Sequence, residues 1–367
     1  MTVHYLSEER LKSNPSFQER IGRKFPPDYR QEIIPLMMER IAKGESCFIV
    51  GMSGTGKSNL FRCLQNKETQ QKYLPDQPEN YAFIWADTNA LVDELSAFYL
   101  YELVLYNLEK WAEDNQQPQE AIDFLRGLHE KVALSESHIL APRYLETAFR
   151  YLFTHLKILH IVLLFDEFEP IARKLDYQFF KNLRWLRDEF KYHLSYIMAA
   201  HRMPTAIREG FFDQGEPFYE LLASNILGLK PYNGHDTQFA LAELSRRYEV
   251  ELTPQQNALV VKASGGHGGL ITTVFKIMLK HSLPHHEDSQ FQQLLSYDAV
   301  AGECRKIWNS LEAQEQDVLL KLINHDVQPD AWQPLSSLTA KGVVLKDSAG
   351  QTVIFSPLFQ KFLQTFV

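Results

Sequence analysis

Three cysteines in 367 residues, at 47, 63 and 304, are too few for a disulfide framework and show no paired metal-ligand spacing. That argues against a small secreted scaffold and against zinc, and Cys47 and Cys63 are expected to act as small apolar packers. Positive charge is also scarce: 38 lysines and arginines face 46 acids, for a formal net charge of −8. Broad attraction to nucleic acid needs many cations facing phosphates, so non-specific DNA binding is disfavoured. Apolar runs such as 161–165 are far too short to cross a bilayer, and MTVHYLSEER lacks the basic-then-apolar pattern of a leader. A soluble cytoplasmic protein with no membrane partner is expected. Low-complexity tracts and internal repeats are lacking too, so two or three packed domains are predicted for this length.

What is present is alternation. Apolar β-type runs at 47–50, 82–86, 161–165, 195–199 and 226–229 alternate with helical periodicity, which predicts a parallel sheet with helices on both faces. A helical insertion at about 91–157 separates the second and third strands, with helices over 91–112, 119–132 and 142–156. The segment 181–191 reads as a helix with solvated charges. Beyond Pro231 the pattern turns helical over 236–248, 254–263 and 271–281, broken by SGGHGGL. Helices over 312–323 and 331–339, a hairpin of strands 343–346 and 352–355, and a helix over 358–366 follow in the order of a winged helix. The domains read as an N-terminal segment 1–30, a P-loop core 31–231, a helical lid 232–300 and a winged helix 301–367. The aromatic stripes at 98–106 and 179–190 fall at helical spacing and read as core, and His285-His286 reads as a solvated loop.

The sharpest motif is GMSGTGKS at 51–58, with an apolar strand before it and a helical pattern after it. Gly51, Gly54 and Gly56 permit the tight turn that points consecutive N–H groups inward, and the following helix adds its positive end. Ser53, Thr55 and Asn59 belong to the same nucleotide-binding stretch. Lys57 is expected on the β- and γ-phosphates and Ser58 on Mg²⁺. The strand at 161–165 ends in Asp166, read as the second Mg²⁺ ligand through water, and Glu167, read as the base that polarises the attacking water. The next strand ends in His201-Arg202, and Arg202 is the residue expected to report the γ-phosphate. Pro231, after the fifth strand, is expected to pack on adenine. ATP or ADP with Mg²⁺ is thus the expected ligand set.

Together GMSGTGKS, LLFDEFE, the strand end HR, LGLKP, SGGHGGL and the terminal winged-helix pattern resemble the STAND branch of AAA+-related ATPases, which includes NACHT and NB-ARC switches. The resemblance spans about residues 25–367. It implies an α/β P-loop NTPase sheet followed by a lid and a winged helix, with Arg202 as the strand-end sensor, Pro231 as the GxP-type proline and 264–270 as the lid turn. This chain departs from the family at Gly268, where many relatives carry proline, and the lid lacks the arginine of replication initiators. Phe355-Ser356-Pro357 offers no ADP-sensing histidine, and PPDYRQE stands in place of a GRExE-like motif. The implied function is a slow ATPase acting as a signalling switch that assembles with itself, with effector or sensor on separate polypeptides, and prokaryotic defence as a family-level setting. Arg184, Arg187 and Arg208 are candidates to reach a neighbour's phosphate. The alternative is an initiator-like AAA+ ATPase binding DNA through its winged helix, although the helix at 331–339 offers Trp332 and no cation to a phosphate backbone.

Overall fold

The computed structural model describes residues 25–88, 95–135, 137, 139–208, 216–281, 287–324 and 332–367. The segment before residue 25, the start of the helix predicted at 91, His285-His286 and residue 331 lie outside this set. The first half runs α1 (Ile34–Ala42), β1 (Cys47–Val50), α2 (Lys57–Gln65), α3 (Lys67–Tyr73), β2 (Tyr81–Asp87), α4 (Ala97–Asp114), α5 (Gln119–Ser135), α6 (Ala141–Thr154) and β3 (His160–Asp166). It continues with α7 (Phe168–Lys174), α8 (Tyr177–Phe190), β4 (Leu194–Ala200), α9 (Pro204–Ile207), α10 (Glu216–Ala223) and β5 (Ile226–Gly228).

All five strands are parallel, in the order β2-β3-β4-β1-β5. Period-two alternation divides their side chains between two cores. Cys47 and Ile49 join α1 and α2 on one face, while Phe48 and Val50 join α4 to α8 on the other. Fully burying each such side chain contributes about 1.5–3 kcal/mol, so the sheet is held from both sides. Val50 pairs with Ala200 and Phe165 with Met198. This register brings the ends of β1, β3 and β4 to one edge, where parallel strands hand over to their loops.

Local chemistry sets the helix limits. α4 starts at Ala97, where the Ser96 hydroxyl accepts the N–H of Tyr99 as a cap. Asp176 caps α8 through Phe179 N–H.

The second half is helical: α11 (Gly234–Tyr248), α12 (Pro254–Ser264), α13 (Gly268–Met278), α14 (Glu287–Ser296), α15 (Asp298–Asn309), α16 (Ala313–Ile323) and α17 (Trp332–Ala340). An antiparallel hairpin of β6 (Val344–Lys346) and β7 (Thr352–Ile354) then leads into α18 (Pro357–Phe366). Thr253 and Gln256 form a capping box at the start of α12, and Gly265 ends that helix in the left-handed region at φ 55°. These elements extend the α1-side core without a break: Val274, Leu294, Ile307 and Phe359 belong to the same buried cluster as Ile49 and Leu60. The sheet and the C-terminal helices therefore share one buried core.

Candidate functional site

The loop between β1 and α2 is shaped by its glycines. Gly54 and Gly56 adopt φ 80° and 96°, which only glycine enters without strain, and Gly56 caps α2. Thr55 is buried and its hydroxyl donates to the Met52 carbonyl at 2.9 Å. Lys57 is 5% exposed, and its ammonium donates to the carbonyls of Gly51 and Met52 at 3.2 Å each and to His201 Nδ1 at 2.7 Å. Burial pushes Lys57 down to about 8, against the opposing pull of Glu167 and Asp166.

Asp166 ends β3 almost fully buried, and burial raises its pKa, partly offset by the Ser58 hydroxyl donating to it. Its carbonyl accepts from Thr88 at 2.9 Å. Glu167 follows at φ 51°, a left-handed backbone that turns its carboxylate toward β4. There Glu167 Oε2 lies 3.3 Å from His201 Nε2, and that hydrogen bond holds the glutamate below the usual carboxylate range. Lys57, Ser58, Asp166 and Glu167 are therefore brought together at one edge of the sheet.

Arg202 and Pro231 make other contacts in this structure. Arg202 donates its backbone N–H to Glu169 at 2.8 Å, and its charge acts on Glu312 in the C-terminal half. The residue of this strand end that reaches Lys57 and Glu167 is His201. Pro231 is buried against the C-terminal segment, since a Cβ on Gly342 would meet its Cδ at 2.6 Å. Tyr232, the next residue, instead lines a cavity of about 350 Å³ with Gly54, Gly56, Asn59, Leu244 and Thr273. The arginines considered for a neighbour's phosphate make contacts within the chain. Arg184 donates to Asp188 and the Pro217 carbonyl, Arg187 to the Gly44 carbonyl, and Arg208 to the Ala172 and Leu175 carbonyls.

Arg30 is a residue that sequence reasoning missed. It has no exposed surface, and its guanidinium donates to the carbonyls of Thr55 at 2.6 Å and Lys230 at 2.7 Å while lying 4.1 Å from the Tyr232 ring. It thus pins the loop to the segment after β5. Its only sequence signal was its place in PPDYRQE.

The C-terminal half closes directly on the loop. His267, at the start of α13, sits 2.6 Å from the Ser53 carbonyl through Nε2, while its Nδ1 accepts from Leu270 N–H. Burial pushes this histidine down to about 4, so the ring is neutral with its proton on Nε2. Gly269 N–H donates to the Gly54 carbonyl at 3.1 Å, and Ser53 N–H donates to Ser310 Oγ at 3.3 Å. Glu303 of α15 hangs over Gly54, with a carboxylate oxygen 2.7 Å from where a Cβ would stand.

No protein-family model and no curated protein matches this sequence. Among solved structures, a Walker-type ATPase of Pyrococcus abyssi is similar over 93% of this chain and 99% of its own, with 13% identity and a TM-score of 0.50. Cdc6p from Pyrobaculum aerophilum is similar over 95% and 97% of the two chains at 11% identity and a TM-score of 0.44. For the ORC1 protein of Aeropyrum pernix, solved in complex with DNA, the figures are 96% and 95%, 10% identity and 0.46. With the strand order above, the first similarity shows that the chain shares the fold of a Walker-type P-loop ATPase.

Proposed function

We propose that this chain is an ATP-binding, ATP-hydrolysing switch of the STAND type, whose lid and winged helix close on the phosphate loop and are released by a triphosphate. The supporting observation is the competition built into the loop. The Ser53 N–H, one of the donors a phosphate would use, is given to Ser310, and the carboxylate of Glu303 stands over Gly54. A triphosphate needs that donor and that space, so binding and closure oppose one another. A ligand with such a difference in affinity shifts the population toward the open form.

In this reading the amides of Gly51, Ser53, Gly54, Thr55 and Gly56 hold the phosphates, and Asn59 and Tyr232 border the base. Arg202 is left as a link between β4 and the C-terminal half. Ser58 and Asp166 fit Mg²⁺: a hydroxyl already directed at a buried carboxylate whose charge is under-compensated suits a hard cation. When bound, the ion neutralises charge on the phosphate oxygens. Lys57 leaves its loop carbonyls for the β- and γ-phosphates. Glu167 takes a proton from a water as that water bonds to the γ-phosphorus and the bond to the bridging oxygen breaks, giving ADP and inorganic phosphate. Release of the clamp frees the loop side for a second copy or a separate effector. The DNA-binding alternative gains no support from α17, whose residues WQPLSSLTA carry no cation.

Hydrogen exchange tests the switch. Exchange at 264–270 and around Ser310 is expected to quicken when Mg·ATP binds. ATP bound at saturation with no change at either segment counts against it.

A pH series gives an independent result. Free Lys57 begins to lose its proton near pH 8, whereas phosphates hold that proton to higher pH, so ATP affinity falls as pH rises above about 8. The loss approaches about tenfold per pH unit, the limit for one linked proton. Calorimetric titrations at pH 7, 8 and 9 check this; an affinity flat across that range refutes the assignment of Lys57.

A further inference from the structure

The opposite end of the sheet, where β1 and β5 begin, holds a polar cavity that the nucleotide chemistry does not use. It measures about 290 Å³ and is lined by Arg40 of α1, Glu45 and Ser46 ahead of β1, Arg187 of α8 and Asn225 ahead of β5. Its floor is firmly built: Ser46 is 3% and Asn225 7% exposed, and the Ser46 hydroxyl accepts the Tyr196 N–H at 3.0 Å. Charge in the cavity does not balance. Glu45 Oε2 lies 2.7 Å from Arg40 Nη1 and answers that guanidinium. Arg187 forms no ion pair among the described residues; its Nη2 donates to the Gly44 carbonyl at 2.8 Å, and its Nε–H is shut off from solvent without an acceptor. Burial draws its pKa below the usual guanidinium range, outweighing the opposite pull of Tyr196 and Asp188.

We infer that this cavity binds a small oxyanion, a phosphate or a carboxylate, between the guanidiniums of Arg187 and Arg40. A buried donor without an acceptor and a cation without a counter-charge are each unfavourable, and an anion held beside them offsets both. Two guanidiniums against one carboxylate leave the site open to one negative charge. The planar fork of an arginine meets the oxygens of a phosphate or a carboxylate two at a time, and Arg40, half-buried, spends one N–H on Glu45 and keeps the others. The volume lies near the lower limit of small-molecule sites, roughly 300–1,000 Å³, which suits an ion or a small ester. A purely structural role, in which Arg187 ties α8 to the turn after α1, accounts for its Nη2 and leaves both the Nε–H and the cavity unexplained. This site is independent of the nucleotide reading, because β1 stands between them: Ser46 precedes that strand and the glycine-rich loop follows it.

The intact chain, labelled with ¹⁵N at arginine, tests this through the Nε–H signal of Arg187, assigned by its loss in Arg187→Lys. Titrated without nucleotide in a buffer free of oxyanions, inorganic phosphate or acetate should shift that signal saturably, and the one that saturates at lower concentration names the ligand class. The shift should survive in Lys57→Ala, which separates it from phosphate held at the glycine-rich loop. Calorimetry adds two variants of opposite sign. Arg187→Lys keeps the charge and loses the fork, and should weaken anion binding about tenfold or more; Glu45→Gln removes the opposing charge and should strengthen it by about the same factor. An Arg187 signal indifferent to both anions overturns the inference, as does a response that vanishes in Lys57→Ala or a folded Glu45→Gln chain that binds no more tightly than the natural one.

Discussion

Lys57→Ala is expected to lose ATP binding by a factor of roughly one hundred or more while leaving the fold intact. The argument has two sides. In the complex the ammonium supplies charge-assisted hydrogen bonds to phosphate oxygens in a nearly dry site, each worth about 1.5–3 kcal/mol, and about 1.4 kcal/mol is tenfold in affinity. In the free protein the same ammonium is buried, and burial outweighs its attraction to Glu167 and Asp166, which is why its pKa falls to about 8. Alanine removes an unfavourably buried charge, so the thermal midpoint should hold steady or rise slightly. Calorimetric titration with Mg·ATP and a melting curve on the same sample separate the two effects. Affinity within about threefold of the natural chain would leave the loop without the role proposed for it. Glu167→Gln, by contrast, keeps the ammonium and the cradle and should still bind.

The contrast between what could and could not be read from the chain follows from the range of the signals. The loop at 51–58 was legible because strand, glycines, lysine and helix start are adjacent, and the steric demand on Gly54 and Gly56 is local. Asp166 and Glu167 were legible for the same reason, as acids at the tip of an apolar run. The five strands were found within a residue or two because their sides face packed cores. His201 was seen but passed over for Arg202, because which of two neighbours turns to the phosphate loop depends on how β4 lies between β3 and β1. Where Pro231 and Tyr232 turn is set by packing in the same way, one toward Gly342 and the other toward the cavity. Arg30, Ser310 and Glu303 carry no local pattern at all. They reach the loop across 25, 257 and about 250 positions of chain, and only tertiary packing brings them there.

Lys341→Met should destabilise the protein by about 3–5 kcal/mol, the range for breaking one side of a buried ion pair. Lys341 has no exposed surface, and Glu315 is 1% exposed. The ammonium donates to both oxygens of Glu315 at 2.6 and 2.7 Å, and the Ser337 hydroxyl donates to one of them at 2.6 Å. Methionine fills the volume but leaves the carboxylate without its counter-charge, and that loss is a large share of the about 5–15 kcal/mol by which domains are stable. If the deficit comes from the orphaned charge, Lys341→Met with Glu315→Leu should recover most of it, since a well-packed apolar pair often matches a buried ion pair. The pair also has reach. Lys341 lies 3.8 Å from Glu312, which accepts the Met203 N–H at 3.3 Å just beyond the His201-Arg202 strand end. Burial and the adjacent Glu315 raise Glu312, while Lys341 draws it back toward the charged form. Single loss of Lys341 should therefore loosen the hold of the C-terminal half on β4 before the sheet unfolds, separating its denaturation from that of the sheet. A single variant that melts within about 1 kcal/mol of the natural chain, or a double variant less stable than the single, would show that this pair does not hold the two halves together.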